Sequence, residues 1–120
     1  MKDENFLLYV QTTDVPERQY APIVLAQAAR AMDIRAAIYY VVMGLRIVTP
    51  GVASEIQIGN FPNVKEMLDK AIEMGVEIYA CEASKQMLGC EDIELIPGVK
   101  CVGAATLNDL ALEAGATMWF

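Results

Sequence analysis

The cysteine at position 81 has the residue type and the sequence context that most favour chemistry. Cys81 follows a short strand-like segment, residues 76–80, and precedes a helix-like segment that ends at Gly89. Its thiol is therefore predicted to lie at the carboxyl end of a strand, where open α/β sheets bind their ligands. The same thiol would sit at the amino end of a helix, where first-turn N–H groups and the helix dipole stabilise a thiolate. We interpret Cys81 as a candidate nucleophile; the alternative is a small buried residue that plugs the strand end.

Two polar residues in the first turn after Cys81 are candidates for supporting it. The hydroxyl of Ser84 could donate a hydrogen bond to a thiolate, and the ammonium of Lys85 could add positive charge, although Glu82 opposes it. Ordinary first-turn and solvent-facing roles remain the favoured interpretation for both Ser84 and Lys85.

The other cysteines are Cys90, in a predicted loop, and Cys101, in a predicted strand. Cys90 is either a resolving thiol or, as we favour, an incidental loop thiol, because sequence spacing alone does not bring it within disulfide reach. Cys101 is expected to pack in the core. An odd number of cysteines without a secretory signal disfavours a disulfide framework.

Histidine is absent, which excludes several classes of site. There is no Cys-His or Ser-His nucleophile pair and no imidazole ligand for a metal. The sequence also lacks a CxxC motif and a cluster of carboxylates at metal-ligand spacing. We therefore expect no metal and no cofactor, and any catalysis must use thiol, carboxylate, lysine, tyrosine or backbone groups.

Charge and hydropathy restrict the partners. The formal net charge is −7 and the nine Lys and Arg residues are scattered, so nucleic-acid binding is disfavoured. Residues 1–5 carry charges of both signs, unlike a signal peptide, and the longest apolar run, residues 36–45, is shorter than a membrane span. We expect a cytoplasmic protein without a membrane segment.

The length of 120 residues fits one domain, 1–120, yet 55% of the residues are hydrophobic. A monomer of this size cannot bury so much apolar surface, so we expect a homo-oligomer.

The periodicity predicts alternating strands and helices. The continuously apolar strand segments are typical of a parallel sheet that is covered on both faces. We therefore predict a three-layer α/β/α sandwich with a mostly parallel five-stranded sheet. The strands are predicted at 5–11, 35–43, 76–80, 99–103 and 116–120, and the helices at about 20–32, 62–75, 82–89 and 106–115, with a loop at 44–60 that has room for one short helical or strand piece.

Local signals predict where the helices begin and end. Asp14 and Glu17 form a capping-box pattern, although Pro22 shifts the regular helix towards Tyr20, and Thr106 is a second predicted cap. Gly75 is the expected C-cap of the helix before Cys81. In that helix, Glu66 and Lys70 are predicted to pair, and Tyr39 and Tyr40 are expected to place one ring in each helical layer or at an interface.

The order of these elements resembles the DsrE/DsrF-like family, small α/β proteins of sulfur relay systems. The most specific shared feature is a Gly-Val pair followed by a short strand and Cys81. The other shared pieces are the strand 6–10, the Ala-rich helix through 26–31, the strand that ends at 42–44, and the strand that closes on 119–120. The resemblance implies a persulfide-carrying role for Cys81 and for no other residue. It also implies a trimer or hexamer with sulfur donor and acceptor proteins as partners.

Three functional hypotheses remain open. The first is a sulfur-relay protein, a sulfur carrier or sulfurtransferase, that acts through a persulfide on Cys81. The second is a thiol redox or peroxide-reducing protein that uses Cys81 with Cys90. The third is a non-catalytic module for assembly or for binding a small molecule at the carboxyl edge of the sheet, although no phosphate-binding glycine loop is present.

Overall fold

The computed structural model describes residues 3–120, with side chains from Asn5 onward. Met1 and Lys2, part of the charged stretch that argued against a signal peptide, lie outside this range. The strands are β1 (Asp3–Gln11), β2 (Arg35–Tyr40), β3 (Glu77–Cys81), β4 (Val99–Val102) and β5 (Ala114–Trp119). The α-helices are α1 (Tyr20–Ala31), α2 (Val64–Glu73), α3 (Glu82–Met87) and α4 (Ala104–Glu113), and the 3₁₀ helices span Pro16–Arg18, Val42–Val48 and Ala53–Glu55.

The five strands form one sheet in the order β4-β3-β2-β1-β5, and every described pair of neighbours is parallel. The prediction of an α/β fold with five strands is confirmed, and the sheet is parallel throughout rather than mostly parallel. Because parallel strands need crossover connections, helices flank the sheet. Within the described residues, no helix is long and apolar enough to cross a membrane.

Alternate side chains divide the core into two layers. The α1–α2 face of the sheet carries Tyr40 and Ala80 and packs against α1 and α2. The α4 face carries Tyr39 and Cys81 and packs against α4 through Leu110. The two adjacent tyrosines therefore lie in opposite layers, in agreement with the prediction.

The start of α1 at Tyr20 confirms the effect expected of Pro22, which lies within the first turn of the helix, where its missing N–H costs nothing. The capping box is wrong, because no side chain caps either α1 or the preceding 3₁₀ helix. The carboxylate of Asp14 instead accepts from the Arg46 guanidinium at 3.0 Å. The cap at Thr106 is also wrong, since α4 begins at Ala104 with Gly103 before it.

The carboxyl end of α2 follows the prediction. Gly75 adopts a φ of +94°, its N–H donates to the Ile72 carbonyl, and the Val76 N–H donates to the Ala71 carbonyl. These two hydrogen bonds form a Schellman motif, in which glycine is favoured because the residue has a positive φ.

The surface ion pairs of α2 differ from the prediction. In place of Glu66–Lys70, Lys65 lies 2.7 Å from Asp69 and Lys70 lies 3.7 Å from Glu73. Exposed pairs of this kind exchange partners at little cost.

Strand β2 ends three residues before the predicted Met43, because the chain turns sharply against the end of β1. The Val41 N–H donates to the Gln11 carbonyl at 3.0 Å, and Val42 then starts a 3₁₀ helix. Gly44 passes so close that a Cβ at this position would overlap the same carbonyl. The first part of the segment that was predicted as a loop therefore belongs to the core, and Leu45, Ile47 and Val48 are fully buried.

The close approach of Gly44 to the Gln11 carbonyl predicts how a substitution at Gly44 changes the stability of the fold. Gly44→Ala should lower the free energy of unfolding by about 1–3 kcal/mol, because the added methyl group meets backbone that cannot move away. Urea unfolding followed by circular dichroism measures the change. Gly103→Ala is the matched control, since a Cβ there meets no atom within 4 Å. Equal stabilities of the two variants would contradict the packing argument.

Candidate functional site

Cys81 is the last residue of β3 and the N-cap residue of α3, with φ −82° and ψ 123°. The structure therefore places it at the strand–helix junction that the sequence predicts. Its side chain belongs to the α4 face, and 7% of the residue is exposed. The thiol sits just below the surface at the carboxyl edge of the sheet.

Nearby hydrogen-bond donors favour the charged form of the Cys81 thiol. Burial raises the pKa of the Cys81 thiol, but the N–H and hydroxyl of Ser84, the N–H of Ala83 and the phenol of Tyr39 outweigh burial and lower it. Donors favour the charged form of the thiol because they stabilise an anion. The thiolate is the nucleophilic form, so the junction favours reaction at Cys81.

Ser84 is held in place by a second hydrogen bond. Ser84 is 3% exposed, and its Oγ accepts a hydrogen bond from the Val42 N–H at 2.6 Å. Because the oxygen is occupied as an acceptor by Val42, the hydroxyl proton is free to point at Cys81. The chain of donors runs from the Val42 N–H through Ser84 to the sulfur.

Val42 adopts a φ of +54°, in the left-handed region. A β-branched residue rarely takes this conformation, and the strain is tolerated only where the surroundings enforce it. Here the strained backbone directs the Val42 N–H at Ser84, which lies next to the candidate nucleophile. The sequence contains no sign of this contact.

Tyr39 is the functional candidate that the sequence pattern missed. Its side chain is fully buried on the α4 face, and its hydroxyl donates to the Gly103 carbonyl at 2.8 Å. Burial raises the pKa of Tyr39, and the neighbouring Cys81 raises it further. The parallel pairing of Tyr39 with Tyr79, two residues before Cys81, would have located it if the strand register had been known.

Lys85 lies next to Cys101. It lines a cavity of about 390 Å³ together with Glu82, Gln86, Glu91 and Cys101. The structure thus brings Ser84 to Cys81, whereas Lys85 stands beside the thiol of Cys101.

The prediction that Cys101 packs in the core is wrong, because β4 is an edge strand and Cys101 is exposed. Cys101 pairs with Ala80 and therefore points to the α1–α2 face, away from Cys81. Adjacent strand cysteines that point to opposite faces cannot form a disulfide without backbone movement.

Cys90 follows Gly89, whose φ of +68° ends α3. It is 7% exposed and packs in the core of the α1–α2 face, on the other side of the sheet from Cys81. This position disfavours a resolving role. Among the residues from Asp3 onward, no group of three or more His, Cys, Asp or Glu side chains could hold a metal ion.

The hydrogen bond from Ser84 makes a prediction about thiol reactivity. Ser84→Ala should raise the pKa of Cys81, because it removes a donor that favours the thiolate. A hydrogen bond to a charged group contributes about 1.5–3 kcal/mol net, so alkylation by iodoacetamide at neutral pH should slow by a factor of about 10 to 100. The measurement is the pH profile of the alkylation rate, followed by peptide mass spectrometry at Cys81.

Ser84→Thr is the matched control, since it keeps the hydroxyl and should keep the midpoint of the profile. A Ser84→Ala protein with native circular dichroism and an unchanged midpoint would show that the hydroxyl does not act on the sulfur.

Comparison with known proteins finds a relative by sequence. The uncharacterized protein MJ0760 of Methanocaldococcus jannaschii is 27% identical over 118 residues, which are 98% of this chain and 43% of that protein. The chain thus spans less than half the length of that relative.

Solved structures share the fold. The ychN protein from E. coli superposes with a TM-score of 0.79 at 17% identity, covering 98% of this chain and 100% of that one. MTH1491 from Methanobacterium thermoautotrophicum, a protein of unknown function, gives a TM-score of 0.68 at 16% identity, with coverages of 98% and 100%. The sequence profile of the DsrE/DsrF-like family matches residues 6–120, from the first core strand to the last residue, and the chain therefore belongs to this family.

Proposed function

We propose that the protein is a sulfur-relay protein that accepts sulfane sulfur as a persulfide on Cys81 and passes it to an acceptor thiol. The observation that carries the proposal is the set of donors at the β3–α3 junction, which lowers the pKa of a thiol that burial alone would raise. Membership of the DsrE/DsrF-like family supports the same role. As expected from the sequence, the proposed setting is the reducing cytoplasm, where free thiols persist.

Loading is a displacement on sulfur. The Cys81 thiolate attacks the outer sulfur of a donor persulfide, a new S–S bond forms on Cys81, and the donor leaves as a thiolate that takes a proton from water. No oxidant is needed, because the donor already carries sulfur at the sulfane level. A low thiol pKa helps this step by increasing the thiolate fraction.

In the discharge step, the same hydrogen-bond donors stabilise Cys81 as the leaving group. An acceptor thiolate attacks the outer sulfur of the Cys81 persulfide, and Cys81 leaves as a thiolate. A thiol of lower pKa leaves faster, so the N–H groups of Ala83 and Ser84 and the Ser84 hydroxyl assist release as well as attack. The site needs no histidine for either step.

The competing functions have weaker support. A thiol redox cycle between Cys81 and Cys90 requires the two thiols to meet, and they lie on opposite faces of the sheet. A binding module could use the cavity beside Cys101, whose lining includes Lys85 and Glu82. That hypothesis does not account for the donors around Cys81.

Incubation of the reduced protein with inorganic polysulfide tests the proposal. Intact-mass and peptide mass spectrometry should find one or more added sulfur atoms on Cys81, and Cys81→Ser should abolish the adduct. Cys90→Ser and Cys101→Ser are the matched controls, and both should keep it. An adduct that survives Cys81→Ser, or no adduct on the folded wild type, would overturn the proposal and favour binding or assembly.

We also propose that the chain assembles with copies of itself, as a trimer or hexamer. The outer side of α1 is apolar and exposed, with Val24 at 38% and Leu25 at 39%. A helix that is apolar on all sides is normally buried. The remaining exposed positions of this side are Ala21, Ala28 and Ala31.

Charge favours a second copy as the occupant of this side of α1. The chain has a net charge of −7, so copies repel one another. Helix α1 contains no Asp or Glu, and the guanidinium of Arg30 is turned inward to the Met74 and Ile34 carbonyls at 3.0 and 3.2 Å. Two copies can therefore meet at α1 without opposing carboxylates.

The assembly is tested by placing a charge on this surface. Leu25→Glu should reduce the mass measured by sedimentation velocity, because a carboxylate would be buried without a partner. Asn108→Glu, on the exposed side of α4, is the matched control and should leave the mass unchanged. A monomeric wild type, or an unchanged oligomer in Leu25→Glu, would contradict the proposed surface.

A further inference from the structure

Tyr39 reaches from β2 across β3 to the end of β4. Its ring stacks on Tyr79 of β3, with centroids 6.1 Å apart and an angle of 23° between the planes. Its hydroxyl donates to the carbonyl of Gly103, directly after β4, at 2.8 Å. The hydroxyl is thereby held at the carboxyl end of β3, on the face of the sheet that also carries the Cys81 side chain. The two groups act on each other, since Cys81 raises the pKa of Tyr39 and the phenol lowers the pKa of Cys81.

A phenol has one proton to donate, and here it faces two acceptors. A neutral thiol is a weak acceptor, so the Gly103 carbonyl holds the proton when Cys81 is protonated. An anionic sulfur accepts a charge-assisted hydrogen bond, which is roughly twice as strong as a neutral one. The balance between the two acceptors therefore depends on the charge of the sulfur.

We propose that Tyr39 is a positioning residue that turns its hydroxyl proton from the Gly103 carbonyl to the Cys81 sulfur whenever the sulfur is anionic. For the thiolate this inference stands on its own; for the persulfide anion it rests on the proposed function. The covalent O–H bond stays intact, because the hydroxyl group only rotates from one acceptor to the other.

The carbonyl of Gly103 can release the phenol at small cost. It also accepts the Thr106 N–H at 3.1 Å, in the first turn of α4. A carbonyl oxygen has two lone pairs, and the bond to Thr106 remains when Tyr39 turns away. The ionisation of Cys81 is thus linked to the junction of β4 and α4.

Other titratable groups do not take this role. Of the neighbours on β3 and β4, Tyr79 donates its hydroxyl to Glu77 at 2.7 Å, and Cys101 points to the other face. On α3, Glu82 and Lys85 line the cavity beside Cys101. Helix α4 packs Leu107, Leu110 and Ala111 into this core, and its Glu113 pairs with Arg35 at 3.2 Å. Lys100 of β4 shares the face of Tyr79 and acts on Glu77.

Tyr40 supplies a matched control. It is the next residue of the same strand, equally buried, and it faces the opposite layer. Among the described residues its hydroxyl has no hydrogen-bond partner. Tyr40→Phe thus removes the same atom as Tyr39→Phe without touching the surroundings of Cys81.

The pH profile of Cys81 alkylation by iodoacetamide tests the inference on the protein without added sulfur. Tyr39→Phe should move the midpoint up by about one pH unit, because a donor to the thiolate is lost. Tyr40→Phe should leave the midpoint unchanged. An unchanged midpoint in Tyr39→Phe, or an equal rise in Tyr40→Phe, would overturn the inference.

A second measurement leaves Tyr39 unchanged. The carbonyl ¹³C shift of Gly103 in wild-type protein should titrate with the midpoint of Cys81 and stop doing so in Cys81→Ser. A Gly103 shift that ignores Cys81 would overturn the exchange of acceptors. Neither readout involves polysulfide, so failure of sulfur loading and failure of this inference remain distinguishable.

Discussion

The hydrogen bond from the Val42 N–H to the Ser84 Oγ is the contact on which the candidate site depends. It joins the turn after β2 to the first turn after β3, two segments that are 42 positions apart in the chain. Val42 makes this bond in a strained left-handed conformation, and two residues later Gly44 passes directly against the Gln11 carbonyl. The core thus stabilises a conformation that local sequence preferences oppose.

Local patterns predicted the features that depend on local physics. Continuous apolar runs indicated a parallel sheet, Gly75 supplied the positive φ of a helix end, and Cys81 was placed where a strand meets a helix. The role of Tyr39 was not predicted, because it depends on the register of β2 against β3. The exposure of Cys101 was not predicted for a related reason. The order of the strands decides which strand lies at the edge of the sheet, and the sequence of a single strand does not reveal that order.

The arrangement of the three thiols favours the proposed relay over a redox cycle. Cys81 faces α4, Cys90 is buried in the opposite core, and Cys101 is exposed on the edge strand. A redox cycle benefits from two thiols within bonding distance, because the second resolves the oxidised first. A persulfide carrier benefits from their separation, because a neighbouring thiol would attack the persulfide and expel its sulfur as sulfide. The opposite orientations of Cys81 and Cys101 thus suit a carrier.

The shallow burial of Cys81 bears on both steps of a relay. With 7% of the residue exposed, the thiol is harder to reach than a surface cysteine, yet the low dielectric strengthens each donor that acts on it. A persulfide extends the reacting atom by one S–S bond, about 2 Å. Since the acceptor attacks the outer sulfur, the anchoring sulfur can stay among its donors while the transferred atom lies nearer the surface. In the proposed relay, burial therefore protects the leaving sulfur while the transferred sulfur lies less deep.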